Sequence, residues 1–373
     1  MGVVKLEEWF WFSPTKIFFG PGVVEKNQPA LLQGKKAFIV TGAGGSSRTN
    51  GVLDHVCQAL SNQDVSWSLF DQILPNPDVQ NTRQAALLAW REQVDFVVGV
   101  GGGSPLDAAK AIAALAVNDL SDEELFAGQF DHALPIIAIP TTAGTGSEVT
   151  PYSILTYPAI NSKKSIASPC LIPRAAFLDP NYTYTLPRDI TIDTAVDAFS
   201  HVFESLLTVR TSPLSQALCR EALGILGRHL RKMAAQDWNP DEESRSQLLY
   251  ASMVAGQVIS HTGTSIPHAL GYSFTYFKGI PHGRANGLIL PAYAAFMAQS
   301  NPTQVVQALS WSGFTSLEDY SSTFLTLAGT PPQLEPDEFM LFVELCSQAK
   351  NLANSLVQPT KQDIQDILTA VLN

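Results

Sequence analysis

The chain has 373 residues, with 34 acidic against 23 basic side chains and a formal charge of −11. At 45% hydrophobic and 15% charged residues it is too apolar for disorder, and its length predicts two domains. The acidic balance argues against a general phosphate-backbone binder, so no nucleic-acid partner is expected.

The chain opens with Glu7 and Glu8 before an aromatic cluster, Trp9 to Phe12. Met1 to Gly20 has no cationic n-region, clean apolar h-region or small-residue cleavage site. No apolar run reaches the ~18 residues of a transmembrane helix. A cytoplasmic protein without a membrane partner is expected. Lys36–Val40 reads as a strand, Gly51–Leu60 as a helix and Val65–Phe70 as a strand. Thr82–Glu92 reads as a helix, Val94–Val100 as a buried strand, Pro105–Val117 as a helix and Leu134–Ile139 as a strand. Apolar strands alternating with helices predict a parallel sheet covered on both faces. Past about Leu186 the strand signal fades. Ile192–Val209, Pro213–Met233, Asp241–Ser260 and Lys361–Leu372 carry helical spacing. The predicted organisation is an α/β dinucleotide-binding domain over 1–184 and an all-α helical domain over 185–373. The four cysteines (Cys57, Cys170, Cys219, Cys346) are far apart and read as free thiols.

Strand Val94–Val100 runs into Gly101-Gly102-Gly103-Ser104-Pro105-Leu106-Asp107 and then a helix. Such a turn lets backbone N–H groups and a helix dipole meet a phosphate, although it is neither a G-x-G-x-x-G fingerprint nor a P-loop. A second strand ends at Pro140-Thr141-Thr142-Ala143-Gly144-Thr145-Gly146-Ser147-Glu148, a loop of small donors. Either loop alone is equally a plain turn. Together, at the ends of parallel strands, they suit a dinucleotide.

In the second half, Asp197 and His201 stand four apart, on one helical face. His268 follows Ile266-Pro267, and His282 sits in Gly279-Ile280-Pro281-His282-Gly283. One carboxylate and three imidazoles suit Fe²⁺, Zn²⁺, Mn²⁺ or Co²⁺. Spacing alone leaves open an ordinary surface pair and two loop histidines. His55, His132, His229 and His261 have no comparable setting and read as structural.

These four blocks, in this order, resemble the iron-containing (group III) alcohol dehydrogenases. The likeness runs from Pro14-Thr15-Lys16-Ile17-Phe18-Phe19-Gly20 to Pro359-Thr360-Lys361-Gln362-Asp363-Ile364. It implies a dehydroquinate synthase-like architecture: a Rossmann-like parallel-sheet domain, a helical domain, and a metal in the cleft between them. It makes Asp197, His201, His268 and His282 the metal ligands, with Fe²⁺ as the metal and Zn²⁺ as a substitute. Gly101, Gly102, Gly103 and Ser104 would hold the pyrophosphate, with Asp107 in the same block. Thr141, Thr142 and Thr145 would line the path to the nicotinamide. Asn76 and Lys164 match cofactor-side positions. Family members commonly dimerise, and a homodimer is expected.

Two departures are informative. NAD-preferring members tend to carry an Asp after the first strand, where this chain has Gly42, followed by Ser46 and Arg48. Losing the carboxylate removes repulsion against a 2′-phosphate, and the turn and Arg48 add donors. NADP(H) is therefore expected over NAD(H), as in an NADP-using butanol dehydrogenase-like branch. Tyr272 replaces a His that many members use in proton handling. Tyrosine, with an ordinary pKa of ~10, is a poor base and is expected to shape the pocket rather than relay a proton.

The expected activity is hydride transfer between a small primary alcohol or diol, or the matching aldehyde, and NADP(H), with a Lewis-acid metal. The competing readings are an NAD-binding metal lyase of dehydroquinate synthase type and a non-catalytic nucleotide-binding protein.

Overall fold

The computed structural model describes residues 8–235, Trp238 and 240–373. The chain divides into two compact units. Ser13–Leu186 with Asp241–Leu249 forms an α/β unit, and residues 8–12 with Pro187–Pro240 and Tyr250–Asn373 form a helical unit.

The α/β unit begins with β1 (Lys16–Phe19), α1 (Val23–Lys26), β2 (Lys36–Gly42), α2 (Ser46–Thr49), α3 (Val52–Ser61) and β3 (Ser66–Ile73). It continues with α4 (Val79–Arg91), β4 (Phe96–Gly101), α5 (Gly103–Leu115), α6 (Asp122–Ala127) and β5 (Ile136–Pro140). An antiparallel pair, β6 (Tyr152–Tyr157) and β7 (Ser162–Ala167), precedes β8 (Ala175–Leu178). The other strands form one parallel sheet in the order β1-β8-β5-β4-β2-β3.

The expected parallel sheet is present, and the four strands read from the sequence are β2 to β5. Their alternate residues feed two cores. Ile39, Phe96, Val98 and Ile137 pack with Val52 and Val56 of α3. Phe38, Val97 and Ile136 pack with Ala85 of α4 and Ile112 of α5. A sheet buried on both faces needs such strands. The chain goes from β2 outward to β3, then returns to β4 and builds the other way through β5 and β8. The order therefore reverses between β2 and β4, and ligands of such sheets bind at the carboxyl ends of the strands at that point.

The remaining helices are α7 (Arg188–Leu206), α8 (Pro213–Ala234), α9 (Glu242–Thr262), α10 (Ile266–Lys278) and α11 (His282–Ser300). They are followed by α12 (Pro302–Trp311), α13 (Leu317–Ala328), α14 (Pro336–Ser347) and α15 (Lys361–Leu372). Stops and starts follow local chemistry: Ser212 caps α8 with Pro213 at its first position, and Gly279 ends α10 in the left-handed region. Helix α7 is buried from Ala195 through Leu206, so its polar residues face protein rather than water. Phe199 and Phe203 anchor it to a cluster with Tyr293, Phe314, Tyr320 and Phe324.

Helices α7 and α11 meet backbone to backbone. A Cβ at Gly283 would lie 1.7 Å from the Asp193 carbonyl oxygen and 3.1 Å from the Asp197 Cβ. One turn on, a Cβ at Gly287 would stand 3.0 Å from Val196. Arg284 clamps the same contact, its Nε donating to Asp193 Oδ1 at 2.9 Å. Substituting Gly283→Ala forces the helices apart. Overpacking of this kind costs about 1–3 kcal/mol, to be read as a lower urea midpoint at unchanged slope.

Candidate metal centre and cofactor loops

Three helices of the helical unit converge on one point. Helix α7 supplies Asp197 and His201, α10 supplies His268, and α11 supplies His282. Nε2 of His268, His282 and His201 lies 3.5, 3.7 and 3.9 Å from Asp197 Oδ1. Donor atoms of Asp197, His201 and His268 all fall within 4.8 Å of one another, a grouping that can hold a metal ion. The rings of His201 and His268 stack at 4.6 Å, and His268 meets His282 edge-on at 5.1 Å. One anionic oxygen and three imidazole nitrogens aimed at a common point are a fitting donor set for a first-row divalent cation. Asp197, His201 and His268 are buried, whereas the His282 side chain is 23% exposed, so the cluster opens on its side. The Tyr272 ring stacks on His282 at 5.4 Å.

Two residues that sequence reasoning missed complete this cluster. Asn286 Nδ2 donates to Asp197 Oδ1 at 3.0 Å and stands 3.3 and 3.5 Å from Nε2 of His268 and His282. Gly271 makes room for it, since a Cβ there would lie 2.4 Å from Asn286 Oδ1. Glu204 is completely buried and accepts from His268 Nδ1 at 2.5 Å. Its signal was present: a carboxylate seven residues beyond Asp197, two turns along the same face of an apolar helix.

The electrostatics follow from these contacts. Burial alone would raise Asp197, but His201, His282 and His268 outweigh it and hold the carboxyl far below its usual range. Burial likewise opposes charge on His268, yet Glu204 and Asp197 hold its imidazole up at about 10. His261, read as structural, accepts from Phe12 N at 2.9 Å and stacks under Trp11 at 3.7 Å.

The α/β unit gathers the predicted phosphate loops at the carboxyl ends of adjacent strands. Thr41 pairs with Val100 across β2 and β4, and Gly101 with Pro140 across β4 and β5. Gly101 has φ +140°, which favours glycine, and a Cβ there would meet Pro105 at 2.8 Å. Helix α5 starts without a side-chain cap. The two loops touch: Thr141 N donates to Gly101 O at 2.9 Å, and a Cβ at Gly103 would lie 2.6 Å from Thr145. Thr142 packs on Gly102 in the same way, 3.2 Å from where its Cβ would be. Asn76, itself at φ 56°, donates its N–H to Ser104 Oγ at 3.2 Å.

Three predicted cofactor residues have protein partners. Asp107 turns to the second loop: Oδ1 accepts from Ser147 Oγ at 2.6 Å and Oδ2 from Ile154 N at 2.9 Å. Lys164 Nζ stands 5.0 Å over the Phe126 ring and 5.6 Å over that of Tyr157. Arg48, beside the exposed Ser46 and the half-buried Gly42, pairs with Asp71 at 2.9 Å.

Beneath the loops lies a buried ionic latch. Lys110 Nζ donates to Ser147 Oγ (2.9 Å), Thr150 Oγ1 (3.1 Å) and Tyr152 O (2.7 Å). Burial pulls Lys110 down to about 8 against the attraction of Asp107 and Glu148. Burial pushes Glu148 up to about 7, despite a backbone hydrogen bond and Lys110.

Residues 14–180 match the family model for iron-containing alcohol dehydrogenase, and residues 191–372 match the family's C-terminal model. A long-chain primary alcohol dehydrogenase of Thermoanaerobacter ethanolicus is 35% identical over 341 residues, spanning 87% of this chain and 82% of that protein. An NADPH-dependent butanol dehydrogenase of Clostridium saccharobutylicum is 30% identical over 82% of this chain and 79% of its own length. The crystal structure of an iron-containing alcohol dehydrogenase from Thermotoga maritima superposes with a TM-score of 0.90. It is 39% identical and covers 98% of this chain and 99% of that one. A doubly wound parallel sheet with a helical unit is the architecture of nucleotide-dependent dehydrogenases of this kind. The chain belongs to the iron-containing alcohol dehydrogenase family and is an oxidoreductase acting on alcohols; the family implies iron and a nicotinamide cofactor.

The latch makes a pH prediction. Glu148 has a folded value above its unfolded 4.5, so its contribution to stability is full below about 4.5 and lost as pH rises through about 7. Glu148→Gln removes that titration. Urea unfolding across this window should show a flatter stability profile for the variant, by on the order of 3 kcal/mol.

Proposed function

We propose that the protein is an NADP(H)-linked alcohol dehydrogenase or aldehyde reductase for a small primary alcohol or diol. Asp197, His201, His268 and His282 hold Fe²⁺, for which Zn²⁺ can substitute. The observation that carries this reading is the convergence of Asp197 Oδ1 and three imidazole nitrogens in a chain of this family. When bound, the cation supplies a Lewis acid that favours the deprotonated alcohol.

The chain's own residues divide the remaining work. Asp197 is the one carboxylate aimed at the common point among the described residues, so it sets the charge there. His282, the exposed member, marks the side from which substrate arrives, and Tyr272 stacked on it forms a wall of that approach. In the α/β unit, Gly101, Gly102, Gly103 and Ser104 offer N–H groups and a helix dipole to the pyrophosphate. Thr141, Thr142 and Thr145 line the path to the nicotinamide, and Asn76 supports Ser104. Asp107 acts indirectly, by holding Ser147 and the second loop. Lys164 steadies the β6–β7 pair from over Phe126.

NADP(H) preference rests on Gly42, Ser46 and Arg48. A 2′-phosphate finds no carboxylate at Gly42 and draws the Arg48 guanidinium away from Asp71. The name of the Clostridium saccharobutylicum relative, an NADPH-dependent butanol dehydrogenase, supports the same preference and substrate class. The family resemblance supports a homodimer in the cytoplasm, and no helix among the described residues is long and apolar enough to cross a membrane.

His268→Ala is expected to lose bound iron and turnover while keeping NADPH affinity, read by metal analysis, aldehyde reduction and fluorescence titration. Full activity in a metal-free preparation overturns the assignment. kcat/KM with NADPH should exceed that with NADH, and Arg48→Ala should cut the ratio by about tenfold, one charge-assisted contact's worth. An equal or better value with NADH removes the cofactor reading alone.

A further inference from the structure

Glu204 is fully buried, yet it is fully supplied with donors. Its Oε1 accepts from Ser200 Oγ at 2.6 Å and from His268 Nδ1 at 2.5 Å. Its Oε2 accepts from Ser265 N at 2.6 Å and Ser265 Oγ at 3.2 Å. Ser265 in turn stands 3.2 Å from the Tyr293 hydroxyl, deep in the aromatic cluster. These contacts tie α7, which carries Glu204, to the start of α10, which carries His268. The carboxylate cannot rotate without breaking a backbone hydrogen bond.

We propose that Glu204 is the positioning residue of the metal centre: by accepting the Nδ1 proton of His268 it keeps that proton in place, so that when the cation binds it is the Nε2 proton that leaves to solvent and the Nε2 lone pair that faces the cation. The proposal rests on the reading of Asp197, His201, His268 and His282 as ligands. It assigns Glu204 no contact with metal or substrate. An imidazole presents one bare nitrogen at a time in its neutral form, and the hydrogen bond of the other nitrogen selects which. On the far side of the ring, His268 Nε2 lies 3.5 Å from Asp197 Oδ1, on the side where the other imidazoles converge. A carboxylate behind a ligating histidine also raises its basicity.

The hydrogen-bond inventory makes Glu204→Gln a sharp test, because it changes one oxygen into a donor and almost no volume. Ser265 N can only donate, so the amide oxygen must take the Oε2 position. The NH₂ group then faces His268 Nδ1 and Ser200 Oγ. The serine hydroxyl can turn and accept. His268 must turn as well, baring Nδ1 and moving its proton to Nε2, where the lone pair for the cation would be. The opposite amide orientation sets two N–H donors against each other at Ser265.

Metal-depleted wild type and Glu204→Gln are titrated with Zn²⁺ against a competing chelator, and their Co²⁺ forms are compared by visible absorption. Circular dichroism checks that both are folded. Wild type should take up the ion, with the variant weaker by about 10–100-fold and its Co²⁺ bands shifted. A folded variant that binds within twofold of wild type with the same Co²⁺ spectrum overturns the role of Glu204 and leaves the centre standing. Wild type that binds neither ion overturns the ligand assignment, and this proposal with it. ¹⁵N-histidine NMR of the Zn²⁺-loaded wild type decides the matter even if the variant does not fold. His268 protonated on Nδ1 and bound through Nε2 supports the proposal; binding through Nδ1 refutes it.

Discussion

The candidate centre depends on how closely α7 and α11 approach. Helices separated by ordinary side chains pack 8–10 Å apart. Gly283 removes the side chain at the contact, and the α11 backbone settles against the Asp193 carbonyl. The neighbours of Gly283 exploit that approach. His282 lies on the preceding position and reaches Asp197, while Arg284 on the following one pins Asp193, a turn before Asp197. Asn286, a further turn along α11, bonds Asp197 and occupies the space that Gly271 of α10 leaves open. Two glycines therefore bring three helices close enough for short side chains to meet, and they do it in the residues adjoining the donors.

Each unit buries a charged cluster, and the two have opposite designs. Around Lys110, every ammonium proton has a protein partner, and Asp107 has both oxygens bonded. The Lys110 ammonium and the Asp107 carboxylate are thus spent on protein partners, and they stiffen the loops above them. Around Asp197 the opposite holds. One carboxylate oxygen and three imidazoles crowd toward a common point. Such crowding is costly in a low dielectric unless a cation takes the place of the protons. Residue type does not separate the two clusters, since both combine carboxylates with bases. The direction in which donors point does.

Much of this was legible in the sequence where a local pattern carries the information. Three strands, β2, β4 and β5, showed as apolar runs because a doubly covered sheet leaves no polar face to interrupt them, whereas the edge strand β3 is half-exposed and mixed in polarity. The short strands β1 and β8 did not show, since four residues hold too little periodicity. Helix α7 was visible, but α10 and α11 were not, because Pro267 beside His268 and Gly283 beside His282 left those histidines open to a loop reading. In the folded chain Pro267 serves at a helix start, Gly283 serves a helix contact, and Pro291 is accommodated inside α11. The four candidate ligands could be named from motif order. Glu204 left a trace in its spacing from Asp197, but its role and that of Asn286 lie in hydrogen bonds to residues 64 and 89 positions away. The partner of Arg48 was missed for the same reason: Asp71 belongs to the neighbouring strand.

That pairing also bears on how an acidic chain manages an anionic cofactor. A net charge of −11 disfavours a dinucleotide only if the field is felt at the binding loops. Exposed charges beyond about 8–10 Å are screened at physiological salt, so the local set decides. At the β4–α5 turn that set is backbone N–H groups and a helix dipole, with Asp107 already bound to Ser147 and Ile154. At the end of β2 it is Arg48 and Asp71, a pair neutral as it stands. A 2′-phosphate that takes Arg48 leaves Asp71 exposed to water at little cost, because the carboxylate is already 43% accessible. A ribose hydroxyl has far less to gain from the exchange. The proposed NADP(H) preference thus rests on a surface ion pair that is weak enough to be broken.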